Sequence, residues 1–194
     1  MSLKYFPIKV VDATPENTKD FGTWIGSEIK TETKIPFFKD SVQEGKNFDW
    51  EYHGKATFRC ARLFPRKNFH LDFIERHLRM KQVFLTLDGP LVLVLGKPTP
   101  NSKTPDPKEI YGFKFPQGGG IMLHFGTWHD FPLAWDRPVT ALTMNSAEVV
   151  IALEEMEKAG EMDQGDVFKI SVAKRMGLDF EVVGMPLVNQ FKSL

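Results

Sequence analysis

Gln82-Val-Phe-Leu-Thr-Leu-Asp-Gly-Pro-Leu-Val-Leu-Val-Leu95 sets two short apolar runs on either side of Asp88-Gly89-Pro90. Runs this short, rich in Val, Leu and Phe and bounded by turn residues, suit buried strands rather than helices. Asp-Gly between two such runs is a strong hairpin signal, so the runs are expected to pair with each other. Upstream, Phe69-His-Leu-Asp-Phe-Ile-Glu-Arg-His77 alternates, with Phe69, Leu71 and Phe73 on one side. Thr57 to Phe64 alternates less cleanly. Downstream, Pro98, Pro100, Pro105 and Pro107 make a loop that no helix or central strand could accommodate. Ile110–Phe115, Ile121–His124 and Val139–Met144 read as further strands, with a turn at Gln117-Gly-Gly-Gly120. Many short strands joined by Gly and Pro turns predict a mainly β sandwich or barrel.

The flanks are less regular. Tyr5 to Val11 is a short β-like run. Thr14 then has the form of an N-cap, with Pro15 at the first helical position and an end near Phe21-Gly22. Residues 26–48 read as irregular. Asn145-x-x-Glu148 has capping-box form, followed by Val149, Leu153 and Met156 at helical spacing and Gly160 as a stop. Phe168-Lys-Ile-Ser-Val-Ala173 is compatible with strand or helix. The expected division is a barrel domain over 1–146 and a helical or irregular C-terminal extension over 147–194 packed on it.

The chain has 194 residues, with 25 Lys plus Arg balancing 25 Asp plus Glu. That balance argues against nucleic-acid or membrane partners bound by a charged face. Cys60 is the sole cysteine, which rules out an intramolecular disulfide and fits a reducing compartment. The N-terminus lacks a signal-like pattern and no apolar run approaches the ~18 residues of a membrane span. A soluble, cytoplasmic protein is expected.

Two clusters carry chemistry. On a strand, Glu75 and His77 share a face while Arg76 points away. Buried carboxylates and imidazoles need partners, and Gln82 is a nearby polar candidate. The second cluster is His124-Phe-Gly-Thr-Trp-His129-Asp130. A bend at Gly126 is expected to turn both histidines into one cavity, with Asp130 orienting an imidazole or accepting a proton. Glu75, His77, His124 and His129 form a donor set suited to Zn, Ni, Fe or Mn. The same groups could act as base and acid without metal. Trp128 is read both as core and as a site wall. The backbone at Gly118, Gly119 and Gly120 is read both as a simple turn and as an anion cradle beside Lys81.

At these clusters the sequence resembles the ureidoglycolate lyase family. The family's Glu-Arg-His-Pro followed by Gln-Ala-Phe reads here Glu75-Arg76-His77-Leu78 and Gln82-Val83-Phe84. Its Gly-x-x-Tyr-His and Trp-His-His-Pro read Gly120-Ile-Met-Leu-His124 and Trp128-His129-Asp130-Phe131. Ala134-Trp135-x-Arg137 also matches, as does Thr14-Pro15-Glu16 through Phe21-Gly22, so the likeness spans about residues 6–146. Departures fall at Leu78, Lys81, Leu123, Asp130 and Asn145-Ser146-Ala147.

The resemblance implies a cupin-like β-barrel, a double-stranded β-helix with a few peripheral helices, assembled as a homodimer. It implies a carbon–nitrogen lyase that splits ureidoglycolate into glyoxylate and urea in allantoin and purine breakdown. Its site would comprise Glu75, His77, Gln82, His124 and His129, with a divalent metal, nickel or zinc. His124, His129, Glu75, His77 and Asp130 are the catalytic candidates. Gln82, Lys81, Gly119, Gly120 and Trp128 are the substrate-binding candidates. Two alternatives stand beside this: a lyase for another small hydroxy or amino acid, and a non-catalytic binding or sensor protein for a small carboxylate.

Overall fold

The computed structural model describes residues 2–28, 30–38 and 41–186. In the first half the strands are β1 (Lys4–Asp12), β2 (Gly22–Ile25), β3 (Thr31–Lys34), β4 (Gln43–Gly45), β5 (Ala56–Leu63), β6 (His70–Leu71), β7 (Phe73–Arg76), β8 (Val83–Thr86) and β9 (Leu91–Gly96). There follow β10 (Ile110–Phe115), β11 (Gly120–Leu123), β12 (Trp128–His129), β13 (Leu133–Ala134) and β14 (Val139–Ser146). The last are β15 (Met162–Gln164), β16 (Val167–Ser171) and β17 (Leu178–Val183). Helices α1 (Pro15–Thr18), α2 (Ala147–Glu154) and α3 (Val172–Met176) are peripheral. α1 starts where the sequence places it: the Thr14 side chain accepts from the Asn17 N–H, and the Asn17 side chain accepts from the Thr14 N–H. No helix among the described residues is long and apolar enough to cross a membrane.

Two main sheets form. The smaller has five strands in the order β2-β11-β8-β14-β5. The larger has ten, in the order β15-β16-β7-β12-β9-β10-β1-β17-β6, with β13 also on β9. From β8 onward the chain passes repeatedly between them: β8 in the smaller, β9 and β10 in the larger, β11 in the smaller, β12 in the larger, β14 in the smaller. Phe84, Ile121, Leu123, Val139 and Ala141 from one sheet meet Leu91, Leu93, Leu95, Phe113 and Phe115 from the other in one buried cluster. The result is the cupin-like, mainly β barrel that the family resemblance implies.

The hairpin expected at Asp88-Gly89 does not form. β8 lies between β11 and β14, whereas β9 lies between β12 and β10. Local turn chemistry bends the chain but does not choose the sheet it enters. Here the Asp88 carboxylate accepts from the Thr140 N–H at 2.6 Å, the Thr140 hydroxyl at 2.7 Å and Arg62 Nη1 at 2.7 Å. That ties the turn to β14 and sends the chain across to the other sheet. β9 is apolar on both faces and finds burial on both in a shared wall.

The second face of that wall has its own core. Val92 and Val94 pack with Ile8, Ile74, Trp128, Ile170, Phe180 and Val182. The larger sheet curls until β6, its last strand, is separated from β7 by Asp72 alone. It thereby wraps this core as it goes. Burying one such side chain fully contributes about 1.5–3 kcal/mol.

The helical or irregular character expected of residues 147–194 is corrected. β16 pairs with β7 and β17 runs parallel to β1, so this segment supplies strands to the larger sheet. Residues 187–194 lie outside the described residues. α2 ends at Glu154 rather than Gly160, and its N-cap Ser146 makes no side-chain cap bond. Residues 26–48, expected to be irregular, include the antiparallel pair β3–β4.

Candidate functional site

Strand register builds the site's centre. His129 of β12 is directly paired with Glu75 of β7. His77 follows Glu75 by two residues and emerges on the same side, as strand alternation requires. Glu75, His77 and His129 are 5%, 3% and 1% exposed. Glu75 Oε1 lies 3.9 Å from His77 Nε2 and 3.7 Å from His129 Nε2. One ligand atom from each residue falls within 4.8 Å of the others, so the trio could hold a metal ion.

Main-chain carbonyls set both imidazoles. His77 Nδ1–H donates to the Asp166 carbonyl at 2.7 Å, and His129 Nδ1–H donates to the Thr127 carbonyl at 2.9 Å. Each Nε2 is thereby left with a lone pair facing inward, as metal-binding histidines are commonly arranged. His77 Nε2, His129 Nε2 and Gln82 Oε1 are buried without a hydrogen-bond partner. All three accept and none donates. An all-acceptor lining is costly to bury unless a cation or a ligand rich in N–H and O–H groups meets it.

Charge follows the same geometry. Lys169 Nζ lies 2.7 Å from Glu75 Oε2, a close ion pair whose alignment falls short of a hydrogen bond. Burial pushes the Glu75 carboxyl up, yet His77, His129 and Lys169 together hold it below the usual carboxylate range. Burial, reinforced by His77, lowers the His129 pKa to about 4, so its ring is neutral at pH 7. Asp130 is shifted the other way, pushed up to about 6 by burial with Glu75 adding to the rise.

Beside the triad opens a cavity of about 260 Å³ bordered by Glu75, Gln82, Thr143, Asn145, Cys60 and Phe131, with α2 forming part of the wall. Alternation along β14 brings Thr143 and Asn145 to this side. Gln82 Nε2 donates to Asn145 Oδ1. Asn145 therefore serves a buried amide pair and not the helix cap that its spacing to Glu148 predicts.

Several expected members lie elsewhere. His124 does not join the triad. β11 sends Ile121 and Leu123 into the barrel core, so Met122 and His124 take the other side. The His124 ring lines a separate groove of about 1270 Å³ with Trp24, Phe48, Trp50 and Met144. The bend at Gly126, with φ 76°, turns the chain but does not overcome that alternation. Lys81 Nζ is held by Asp49 and Glu51 at 2.8 and 2.6 Å.

The Gly118 and Gly119 N–H groups donate to the Thr86 and Pro116 carbonyls, at the far end of β8 from Gln82, so they form no anion cradle. Gly120 is needed because a Cβ there would run into the Phe84 carbonyl. Trp128 is core, 0% exposed, with Nε1 donating to Thr99 Oγ1 and the Arg76 guanidinium 4.5 Å from its ring centre. Asp130 follows His129 but contributes no atom to the triad.

Sequence reasoning missed Asn145, Thr143, Asp166 and Lys169. The alternation of β14 could have flagged the first two. Asp166 and Lys169 reach the site only through the pairing of β16 with β7, which no local pattern announces.

A family-wide sequence model described as ureidoglycolate lyase matches residues 7–163. No curated protein matches the sequence. Among solved structures, the chain is similar to a crystal structure of a dTDP sugar isomerase from Desulfovibrio desulfuricans G20. The two share 14% identity over 87% of this chain and 95% of that one, with a TM-score of 0.47.

Proposed function

The chain belongs to the ureidoglycolate lyase family, and we propose that it cleaves ureidoglycolate to glyoxylate and urea in the cavity beside Glu75, His77 and His129. The observation that carries this reading is a set of bare acceptors: His77 Nε2 and His129 Nε2 beside the Glu75 carboxylate, and Gln82 Oε1 on the residue that lines the same cavity as Glu75. Ureidoglycolate offers complementary donors: a hydroxyl and the N–H groups of its ureido arm.

The reaction breaks the C–N bond with its electron pair going to nitrogen. The hydroxyl oxygen loses a proton and forms the new carbonyl, and the departing nitrogen gains a proton. Glu75 Oε1, His77 Nε2 and His129 Nε2 suit a divalent cation, nickel or zinc, because they supply one oxygen and two imidazole nitrogens whose rings are oriented by main-chain carbonyls. Such an ion would supply Lewis-acid polarisation of the substrate's hydroxyl and carboxylate oxygens. Gln82 Oε1 accepts from the ureido N–H, and Asn145 holds Gln82 in that orientation. Phe131 and the α2 wall limit water around the scissile bond. The same reading carries a homodimeric cytoplasmic enzyme of allantoin breakdown, and light scattering on the purified protein tests the dimer.

The decisive measurement is urea release from ureidoglycolate with Ni²⁺ or Zn²⁺ added back to chelated protein. Wild-type protein is expected to turn over. His129→Ala removes one of the three ligands and is expected to lose at least about 10²-fold, more than the roughly 10–100-fold that follows loss of an outer-shell partner. Binding of ureidoglycolate without turnover would favour the sensor alternative and sink the lyase reading.

A further inference from the structure

The triad is supported from outside the family-matched region. β16 pairs with β7 so that Lys169 lies directly opposite Glu75. The Lys169 side chain is 24% exposed, and its Nζ reaches Glu75 Oε2 at 2.7 Å. Asp166 sits in the β15–β16 turn with φ 61°, and its carbonyl receives the His77 Nδ1–H. Its carboxylate accepts from the N–H groups of Leu78 and Arg79, which pins the turn to the end of β7. Asp166 and Lys169 both lie beyond residue 163, where the family match stops.

We infer that the β15–β16 hairpin sets how the triad holds a divalent cation, with Lys169 as the positioning residue that determines its affinity. By occupying Oε2, Lys169 leaves Glu75 a single free oxygen, Oε1, aimed at the two imidazoles. It also cancels the one negative charge of the donor set, so the centre presents two imidazole nitrogens and a neutralised carboxylate. A centre of that kind favours ions that bind imidazole well, such as Ni²⁺ and Zn²⁺. It disfavours hard ions such as Mg²⁺ and Ca²⁺, which depend on anionic oxygen. Removing the lysine charge frees Oε2 and restores the net negative charge, so cation affinity rises. A lysine with a merely structural role would have the opposite signature: its loss would let Glu75 wander, and both affinity and stability would fall.

The inference rests on the cation reading proposed above, and its test does not involve turnover. Dissociation constants of the full chain for Zn²⁺, Ni²⁺ and Mg²⁺ are measured by competition with a chromophoric chelator, with thermal unfolding alongside. Lys169→Met is expected to bind Zn²⁺ and Ni²⁺ about 10-fold more tightly, opposite in sign to the roughly 10–100-fold loss that follows removal of an outer-shell partner that orients a ligand. Its preference for them over Mg²⁺ is expected to narrow, while Lys169→Arg stays within about twofold of wild type. Lys169→Gln, which keeps a neutral donor, carries the measurement if Lys169→Met does not fold. Unchanged or weaker binding in the neutral variants overturns the inference. So does a wild-type chain that binds neither Zn²⁺ nor Ni²⁺. Urea release, assayed separately, decides the lyase reading whichever way the affinities fall.

Discussion

His124 and His129 are five residues apart and differ in environment for one reason: which side of its strand each leaves. His129 faces Glu75 across a paired register, while His124 follows the outward side of β11 into a different groove. His124→Ala is therefore expected to leave kcat/KM for ureidoglycolate within about threefold of wild type. A loss as large as that of His129→Ala would put His124 back in the site. Gln82 gives a subtler test. Gln82→Leu removes a bare acceptor without touching the triad. A site that hydrogen-bonds its substrate loses about 1–3 kcal/mol when a buried partner goes unpaired. That corresponds to roughly 5- to 150-fold in kcat/KM. Zn²⁺ affinity should be unchanged in the same variant, and a fall in it would place Gln82 among the ligands.

At the scale of elements, turns hold their places through specific side chains. The Asp88 carboxylate is held down to about 2, below its ordinary 3.8, by the Thr140 N–H and hydroxyl and then by Arg62. Folding lowers this pKa, so the stabilisation is fully present above about 4 and is lost as pH falls through about 2. Wild-type stability to urea should decline over that window, and Asp88→Asn should be less stable at pH 7 with a shallower decline. Equal pH slopes for the two proteins would show that Asp88 does not carry the effect. Gly120 tests a different kind of constraint. A methyl there meets backbone of β8, and overpacking costs about 1–3 kcal/mol. Gly120→Ala should lower the unfolding free energy measured by urea titration by that amount, with KM little changed among the molecules that remain folded. A raised KM with unaltered stability would revive the anion-cradle role for this turn.

The whole molecule is organised by β9, whose Leu91, Leu93 and Leu95 serve the barrel core and whose Val92 and Val94 serve the second core. Phe180, 0% exposed on β17, joins the C-terminal segment to that second core. Phe180→Ala is expected to cost about 3–5 kcal/mol in equilibrium unfolding. A chain ending at residue 163 should expose that core and aggregate. Soluble, cooperative folding of the shortened chain would show that residues 1–163 stand alone as a domain. Much of this protein was legible in its sequence: strand-length apolar runs, the Thr14–Pro15 helix start, and Glu75 and His77 on one face. Each follows from alternation or capping within a few neighbouring residues. The family motifs added the barrel and the pairing of that face with His129. Other features were decided only by tertiary structure. The chain crosses between sheets at Asp88-Gly89, where local signals predict a hairpin. His124 turns away from the site that His129 enters. Residues after 147 return to the sheet and bring Asp166 and Lys169 to the triad. The physical reason is common to all three: a strand's partner is chosen by burial and hydrogen bonding between residues distant in the chain, and short-range periodicity carries no record of that choice.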